Sequence, residues 1–451
     1  MYTLQKSSII SEIRASLHLG IPLAAAQLAQ SLTTFVDTVM MGLLGSQTIA
    51  AGGLGAVTFT ILLLVSSAIV SALSPLVAEA YGANKNNMVE CVVRQGLWLA
   101  IILGIPISLI VFHGKSLLLL FGQDGNTVAL TEEYLRSIAW GFLPAIIFAV
   151  LRNFVSAVSQ PRPIMVIVIC GTCLNIAANY VLMFGKLGLP ALGLAGIGWG
   201  STLTFWSMLI AIIIYIKTQT TLKKYEVFRN FHQFNSKILG NLLHIGLPIG
   251  MLTGVEAGLF TVTTFIMGTL GTVTLAAHQI ALQTAATTFT VALGISFATT
   301  VRVGQEVGQK NAKNARLAGY VGISLGGIFM AFMGILFWLM PETIVSLYLD
   351  INNPANTEVV NQAKALLKVA AFFQIADGIQ VTAVGALRGL KDTRIPMLIG
   401  IFAYWCIGLT SGYLLGLKLG FGGVGLWWGL ALGLAVASII LTWRFSVVKV
   451  K

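Results

Sequence analysis

Three carboxylates stand where a carboxylate is hard to accommodate. Asp37 lies in FVDTVMMGLLG (35–45), Glu256 follows GLPIGMLTGV (246–255), and Asp377 sits in AFFQIADGIQ (371–380). Each stretch is apolar enough for lipid, where an ionised acid near a helix centre costs about 2.5–3.5 kcal/mol. The sequence pattern puts no Lys, Arg or His at comparable depth. An acid so placed can take up a proton, bind a metal or organic cation, or face a wet cavity. All three outcomes suit the exchange of one cation for another across a membrane. For any single acid the plainer alternative is a hydrogen bond between helices. The remaining acids fall in tails, loops and first helical turns, Glu12 and Asp124 among them, or, as with Glu79 and Glu306, at helix ends.

The neighbours of the three acids are polar in a helical rhythm. Gln30, Thr34, Asp37 and Met41 share one stripe, Thr253, Glu256, Phe260 and Thr263 a second, and Gln374, Asp377 and Val381 a third. Asn175 and Asn179 are four residues apart, as are Gln279 and Gln283, so each amide pair points one way. Polar stripes flanked by Met and aromatic residues suit a cavity for organic cations of varied shape. Interhelical hydrogen bonding would use the same amides.

The elements that hold these residues are membrane helices. The 451-residue chain is 57% hydrophobic and 9% charged, against about 25% charged in a soluble domain. Apolar runs of about 20 residues recur throughout, without the polar face a soluble helix needs. The pattern predicts an all-α polytopic membrane protein with twelve spans. They run over 16–43, 50–80, 91–113, 133–158, 163–184, 193–216, 240–268, 275–303, 315–339, 361–388, 395–416 and 423–446. The first span is too long for a signal peptide and lacks a cleavage site.

Of the 27 Lys and Arg residues, all but Lys115, Arg136, Lys186, Lys364, Lys368 and Lys418 fall on the side that carries both termini. That asymmetry places the termini in the cytoplasm. It also accounts for the net charge of +12 as topology, not as a nucleic-acid surface.

The chain repeats itself. At an offset of 226, His18-Leu-Gly-Ile-Pro22 matches His244-Ile-Gly-Leu-Pro248, Met41-Gly42 and Gly45 match Met267-Gly268 and Gly271, and Gly82 matches Gly308. Later, Gln160-Pro-Arg162 answers Asp392-Thr-Arg394, and Ala195-Gly196 with Trp199-Gly200 answers Val424-Gly425 with Trp428-Gly429. Two pseudo-symmetric six-helix lobes follow, 1–222 and 239–451, joined by a cytoplasmic linker at 223–238 whose charges read as a solvated loop. Parallel repeats around a midplane cavity are a transporter layout. The repeats also diverge: Gln30 stands opposite Glu256, and Asp37 opposite Thr263.

Other chemistry is poorly supported. Cys170-Gly-Thr-Cys173 is a lone CxxC inside an apolar run and reads as small packing residues. The five histidines scatter, with His278 read as a helix-end packing group and no nucleophile or metal cluster beside any of them. No cofactor is expected. A flippase for lipid-linked or polyanionic substrates would want Lys and Arg at mid-depth. A passive channel differs by lacking counterflow. Gly196xxxGly200 and Gly304xxxGly308 suggest close helix packing, and Pro22, Pro144 and Pro248 sit where helices would kink.

FVDTVMMG around Asp37, GLPIG before Glu256, MGTLGTVTLAAHQIAL, RVGQEVG and ALRGLKDTRIPM together resemble the multidrug and toxic compound extrusion (MATE) family, in its bacterial NorM-type branch, over nearly the whole chain. The resemblance implies two bundles around a V-shaped cavity, in a bacterial inner membrane, exporting cationic amphiphilic compounds in exchange for protons or sodium. It implies a monomer whose partners are small organic cations and the lipid bilayer. It assigns Asp37 with Asn175 and Asn179 to a first cation site. Glu256 and Asp377 form a second, where Na+ would bind if sodium is the coupling ion. The expected cavity is lined by Gln30, Thr34, Met41, Thr253, Phe260, Gln279, Gln283, Phe373 and Gln374. Two departures from the family pattern favour protons: an amide at Asn179 where some relatives have a carboxylate, and Phe373 where sodium-coupled relatives tend to have Tyr.

Overall fold

A lipid-exposed backbone must satisfy its own hydrogen bonds, and an α-helix does so within one segment. The computed structural model describes residues 2–120, 122 and 125–450, so Asp124 and Lys451 lie outside it, as do the side chains of residues 2–7, 46 and 117. Twelve helices among the described residues are long and apolar enough to cross a membrane. They are α1 (Tyr2–Leu43), α2 (Gln47–Gly82), α3 (Asn86–Phe112), α4 (Gly125–Ala157), α5 (Arg162–Phe184) and α6 (Gly193–Thr218), then α7 (Ser236–Thr269), α8 (Thr272–Gly308), α9 (Ala312–Leu339), α10 (Thr357–Gly389), α11 (Arg394–Lys418) and α12 (Gly422–Val447).

All twelve predicted spans are present, and several extend further than hydropathy suggests. The early turns of α4 carry Glu132 and Glu133, and the third turn of α1 carries Glu12. Charged helical turns read as loop in a hydropathy scan. Glu12 therefore belongs inside a helix, not to a tail, and it is buried.

The duplication is written into the backbone. Gly45 and Gly271, which precede α2 and α8, adopt φ/ψ of 115/167 and 116/164, a region essentially closed to other residues. Left-handed positions recur at matching places of the two repeats, with different residues at Asn84 (φ 54) and Lys310 (58) and at Ser159 (63) and Lys391 (62), and with glycine in both at Gly193 (54) and Gly422 (57).

Contacts divide the chain into two compact units, one of Ala25–Gly250, the other of Met1–Ala24 with Met251–Lys451. These units and the sequence repeat are different partitions, since both α1 and α7 are shared between units. In the Ala25–Gly250 unit the most enclosed helix is α4, with Leu135, Phe142, Ile146 and Phe154 in the core. In the other unit it is α10, packed with Phe337, Trp427 and Phe445.

Glycines set the spacing of the last two helices in each repeat. A Cβ on Gly196 would lie 2.7 Å from the Leu182 backbone of α5, and one on Gly429 would lie 2.2 Å from Gly412 of α11. Gly196xxxGly200 is thus a true close-packing face. α11 also widens into π-helical turns over Phe402–Leu409 and Leu414–Lys418. By contrast Cys170 and Cys173 are exposed on α5 as free thiols. They do not pack, because the polar face of α5 is the one turned inward.

The linker is more ordered than a solvated loop. Its charges Lys223, Lys224 and Arg229 are exposed, while Tyr225 and Val227 between them, and Leu222 just before them, are buried. The Trp98 ring of α3 stacks on Phe231 at 5.1 Å, and its Nε1 donates to the Phe231 carbonyl. Gln95 donates to the Gln233 carbonyl and accepts from the Asn235 N–H. Burial pushes the Tyr225 phenol up to about 12. Alternation of charged and apolar residues within a short loop hid this docked face from a composition reading.

Candidate functional site

In the Ala25–Gly250 unit the polar residues converge on Asp37. Its Oδ1 accepts from Asn179 Nδ2 of α5 at 2.6 Å. The same amide donates to Asn175 Oδ1 at 3.0 Å, and Asn175 Nδ2 donates to Ser201 Oγ of α6 at 3.2 Å. About one turn away Thr33 and Thr172 share a hydrogen bond at 2.8 Å, so α1 and α5 are joined at two levels. The predicted trio of Asp37, Asn175 and Asn179 is one connected chain. Ser201, which sequence reasoning missed, ends it.

Asn175 and Asn179 are fully enclosed, while Asp37 is half-buried at the edge of the chain. Asn179 Oδ1 is buried and makes no hydrogen bond. A Cβ on Gly200 would sit 2.0 Å from that oxygen. Gly200 thus makes the room that lets the amide reach Asp37. No Lys, Arg or His lies within 4 Å of Asp37 among the described residues.

The other unit gathers its polar groups around α10. Asp377 is 4% exposed, with Oδ1 buried and unpartnered. Gln374 donates to Thr288 Oγ1 of α8, and Gln380 donates to the Tyr404 hydroxyl of α11. The carbonyl oxygens of both glutamines are buried and unpartnered too. Gln374, Asp377 and Gln380 thus present buried oxygens along one stripe of α10. A proton or a hard cation satisfies acceptor-only oxygens.

Glu256 of α7 is half-buried near the cluster and interacts electrostatically with Asp377, Tyr404 and Arg388. Arg388 sits in the last turn of α10, eleven residues beyond Asp377, and its charge is felt at Glu256. No ion pair within 4 Å joins them among the described residues. The first repeat has its own arginine after a leucine, Arg152, which donates to Gln27 of α1 at 3.4 Å.

The expected cavity residues divide into three groups. Gln30, Thr34, Gln279 and Gln283 are exposed, and Thr253 and Phe260 are half-buried. Met41 is enclosed, with its sulfur against Gly52 of α2. Phe373 is a core residue, edge-on to Phe260 at 6.2 Å and to Trp427 at 5.5 Å. Gln374 is also fully enclosed and belongs to the unpartnered-oxygen cluster. Met41, Phe373 and Gln374 are therefore no open lining. Helical spacing put Met41 and Gln374 on the right stripe, but each stripe is partly covered by a neighbouring helix.

His278 is a packing group. Trp427 Nε1 donates to its Nδ1 at 3.1 Å, which leaves the proton on Nε2, facing Thr264 Oγ1 at 3.0 Å. Gln380 lies one turn beyond Asp377 and was legible as part of that stripe. Tyr404 carried no signal within its apolar run.

The MatE family pattern matches residues 22–181 and again 248–414, two copies whose starts are 226 residues apart. A probable multidrug resistance protein NorM of Synechocystis sp. is 46% identical over 98% of this chain and 96% of its own length. The same-named protein of Pseudomonas aeruginosa is 42% identical over 98% and 90%. Among solved structures, an outward-facing multidrug resistance MATE family transporter superposes with a TM-score of 0.87 at 20% identity, covering 96% of this chain and 95% of that one. A eukaryotic MATE transporter does so at 0.85 and 20% identity, covering 98% and 97%.

Proposed function

Because the chain belongs to the MATE family of secondary transporters, we propose that it is a NorM-type multidrug exporter that moves cationic amphiphilic compounds out of the cell in exchange for protons. It works in the cytoplasmic membrane of a bacterium with both termini inside, in keeping with the Lys and Arg asymmetry. The observation that carries the reading is Asp37: a half-buried carboxylate held by one amide, with no cationic partner within 4 Å among the described residues.

The chemistry follows from that geometry. Ionised Asp37 accepts from Asn179 and attracts a cation. A proton on Asp37 cancels the charge and releases the cation. Glu256 and Asp377 give the other unit a second place for the same exchange. The Asn179 amide, where a carboxylate would strengthen a metal site, and the oxygen-free Phe373 side chain favour protons over sodium. A membrane potential of 100 mV supplies about 2.3 kcal/mol per charge moved, and one pH unit adds about 1.4 kcal/mol. Coupling needs drug and proton to prefer different states of the protein.

The test is efflux of a fluorescent cation from proteoliposomes under separately imposed proton and sodium gradients. A proton gradient alone is expected to drive efflux, and Asp37→Asn is expected to abolish it with insertion intact. Undiminished proton-driven efflux by the Asp37→Asn protein would overturn the reading.

A further inference from the structure

The contact units change hands inside two helices. α1 passes from one unit to the other between Ala24 and Ala25, and α7 between Gly250 and Met251. These are equivalent positions of the repeat, 226 residues apart. Each repeat therefore lends the first part of its leading helix to the other repeat's bundle, and in both cases glycines seat it. A Cβ on Gly294 of α8 would lie 2.6 Å from the Ala24 backbone, and one on Gly246 of α7 would lie 2.3 Å from the Ile69 carbonyl of α2.

The chemistry of the two seats differs. On α8, Arg302 grips Glu12 of α1 through two parallel bonds, Nε to Oε1 at 2.9 Å and a terminal nitrogen to Oε2 at 2.6 Å. That terminal nitrogen also reaches Glu306 Oε1 at 2.9 Å, and the other donates to Gln305 Oε1 at 3.1 Å. Ser16 Oγ donates to Glu12 Oε1 at 3.4 Å. Glu12 and Glu306 are buried. In the other seat the positions equivalent to Glu12, Arg302 and Glu306 are Ile238, Leu76 and Ala80, while Gln305 corresponds to Glu79. The Glu12–Arg302–Glu306 cluster cannot form there.

A buried ion cluster is a poor way to add stability, since apolar residues of similar size often do as well or better. It is a good way to build a contact that must open. Separated charged groups regain their water, whereas a separated apolar face is left exposed to it with nothing gained in return.

We propose that Glu12, Arg302 and Glu306 form a latch that fastens the first part of α1 to α8, and that this latch breaks and re-forms in each transport cycle. α1 is one continuous helix serving both units, so any reorientation of the units must bend it near residue 24 or strip residues before 24 from α8. The latch sets the rate of the second event. The inference rests on the alternating-access reading above, and the first arm of its test does not depend on measured transport.

The reporter is Ala298→Cys, placed beneath Gly20 of α1 and 1% exposed, in a background with Cys91, Cys170, Cys173 and Cys406 changed to Ser. The purified protein in lipid nanodiscs is labelled with a polar maleimide. Labelling is expected to be slow in the parent, at least tenfold faster with Glu12→Gln or Arg302→Gln, and intermediate with Arg302→Lys. Equal rates in parent and latch variants would overturn the proposal. In a second arm, Glu12→Cys with Arg302→Cys is bridged by a short thiol-reactive linker that a reductant cleaves. Bridging is expected to stop efflux and reduction to restore it, and efflux unaffected by the bridge would also overturn the proposal. A parent without efflux under any gradient but with the labelling contrast intact would refute the exporter reading and leave the latch standing.

Discussion

Replacing Gly200 by alanine adds a single methyl group, and the structure says what it would do. The new Cβ would lie 2.0 Å from Asn179 Oδ1 and 3.0 Å from its Cγ. Ordinary contact distances exceed 3 Å, so the amide must swing away by about 1 Å or more, and the 2.6 Å bond to Asp37 is lost. A hydrogen bond to a charged group contributes about 1.5–3 kcal/mol, or about tenfold to somewhat over a hundredfold in an equilibrium. Proton-driven efflux per inserted molecule is expected to fall by at least tenfold, with insertion unchanged by size-exclusion chromatography. Asn179→Ala should cause a similar loss, and adding it to Gly200→Ala should cost little more, because both remove one bond. Gly196→Ala, one turn away, is the control for simple helix separation: its Cβ meets the Leu182 backbone and not the amide. Full activity in Gly200→Ala, additive losses in the double variant, or an equal loss in Gly196→Ala would each refute the argument.

Three further outcomes follow from the same structure. Tyr404→Phe strips the acceptor from Gln380 Nε2, and a buried donor left unpaired costs about 1–3 kcal/mol; efflux is expected to slow severalfold, and unchanged efflux would reduce Tyr404 to packing. Gly45→Ala and Gly271→Ala, at φ 115 and 116, should each lower stability by about 1–3 kcal/mol, measured by thermal denaturation in detergent, whereas a large effect at only one of them would contradict the backbone equivalence of the repeats. Trp98→Ala should free the linker, so that limited trypsin digestion at Lys223, Lys224 and Arg229 accelerates several-fold; an unchanged cleavage rate would mean the stacking on Phe231 does not hold it.

Hydropathy revealed all twelve helices because lipid demands long apolar runs, but it truncated those that carry charge near an end. Glu12 was assigned to a tail for that reason, although three turns of helix and a guanidinium enclose it. The Asn175 and Asn179 pair was legible because both lie on one helix at a fixed spacing. Their partner Ser201 was not, since no periodicity relates residues of different helices. Asp377 stood out as an acid in an apolar run. Tyr404 did not, because a tyrosine among apolar residues is ordinary, and only its position opposite Gln380 makes it part of the site. Gln374 and Met41 show the converse error: a correct stripe does not reveal which part of it a neighbour covers. Arg388 was legible at the end of α10, but its charge at Glu256 was not, since that depends on how α7 and α10 pack.

The two borrowed half-helices have a consequence for how such a protein could have arisen. If the chain were severed at the linker, neither fragment would contain all of a contact unit. The first would keep residues 1–24 and lack 236–250, and the second the reverse. Each fragment would have to complete the other, as swapped protomers do. The ancestral single repeat would then have been viable only as an interlocked pair, and fusion would have fixed a mutual exchange that already existed.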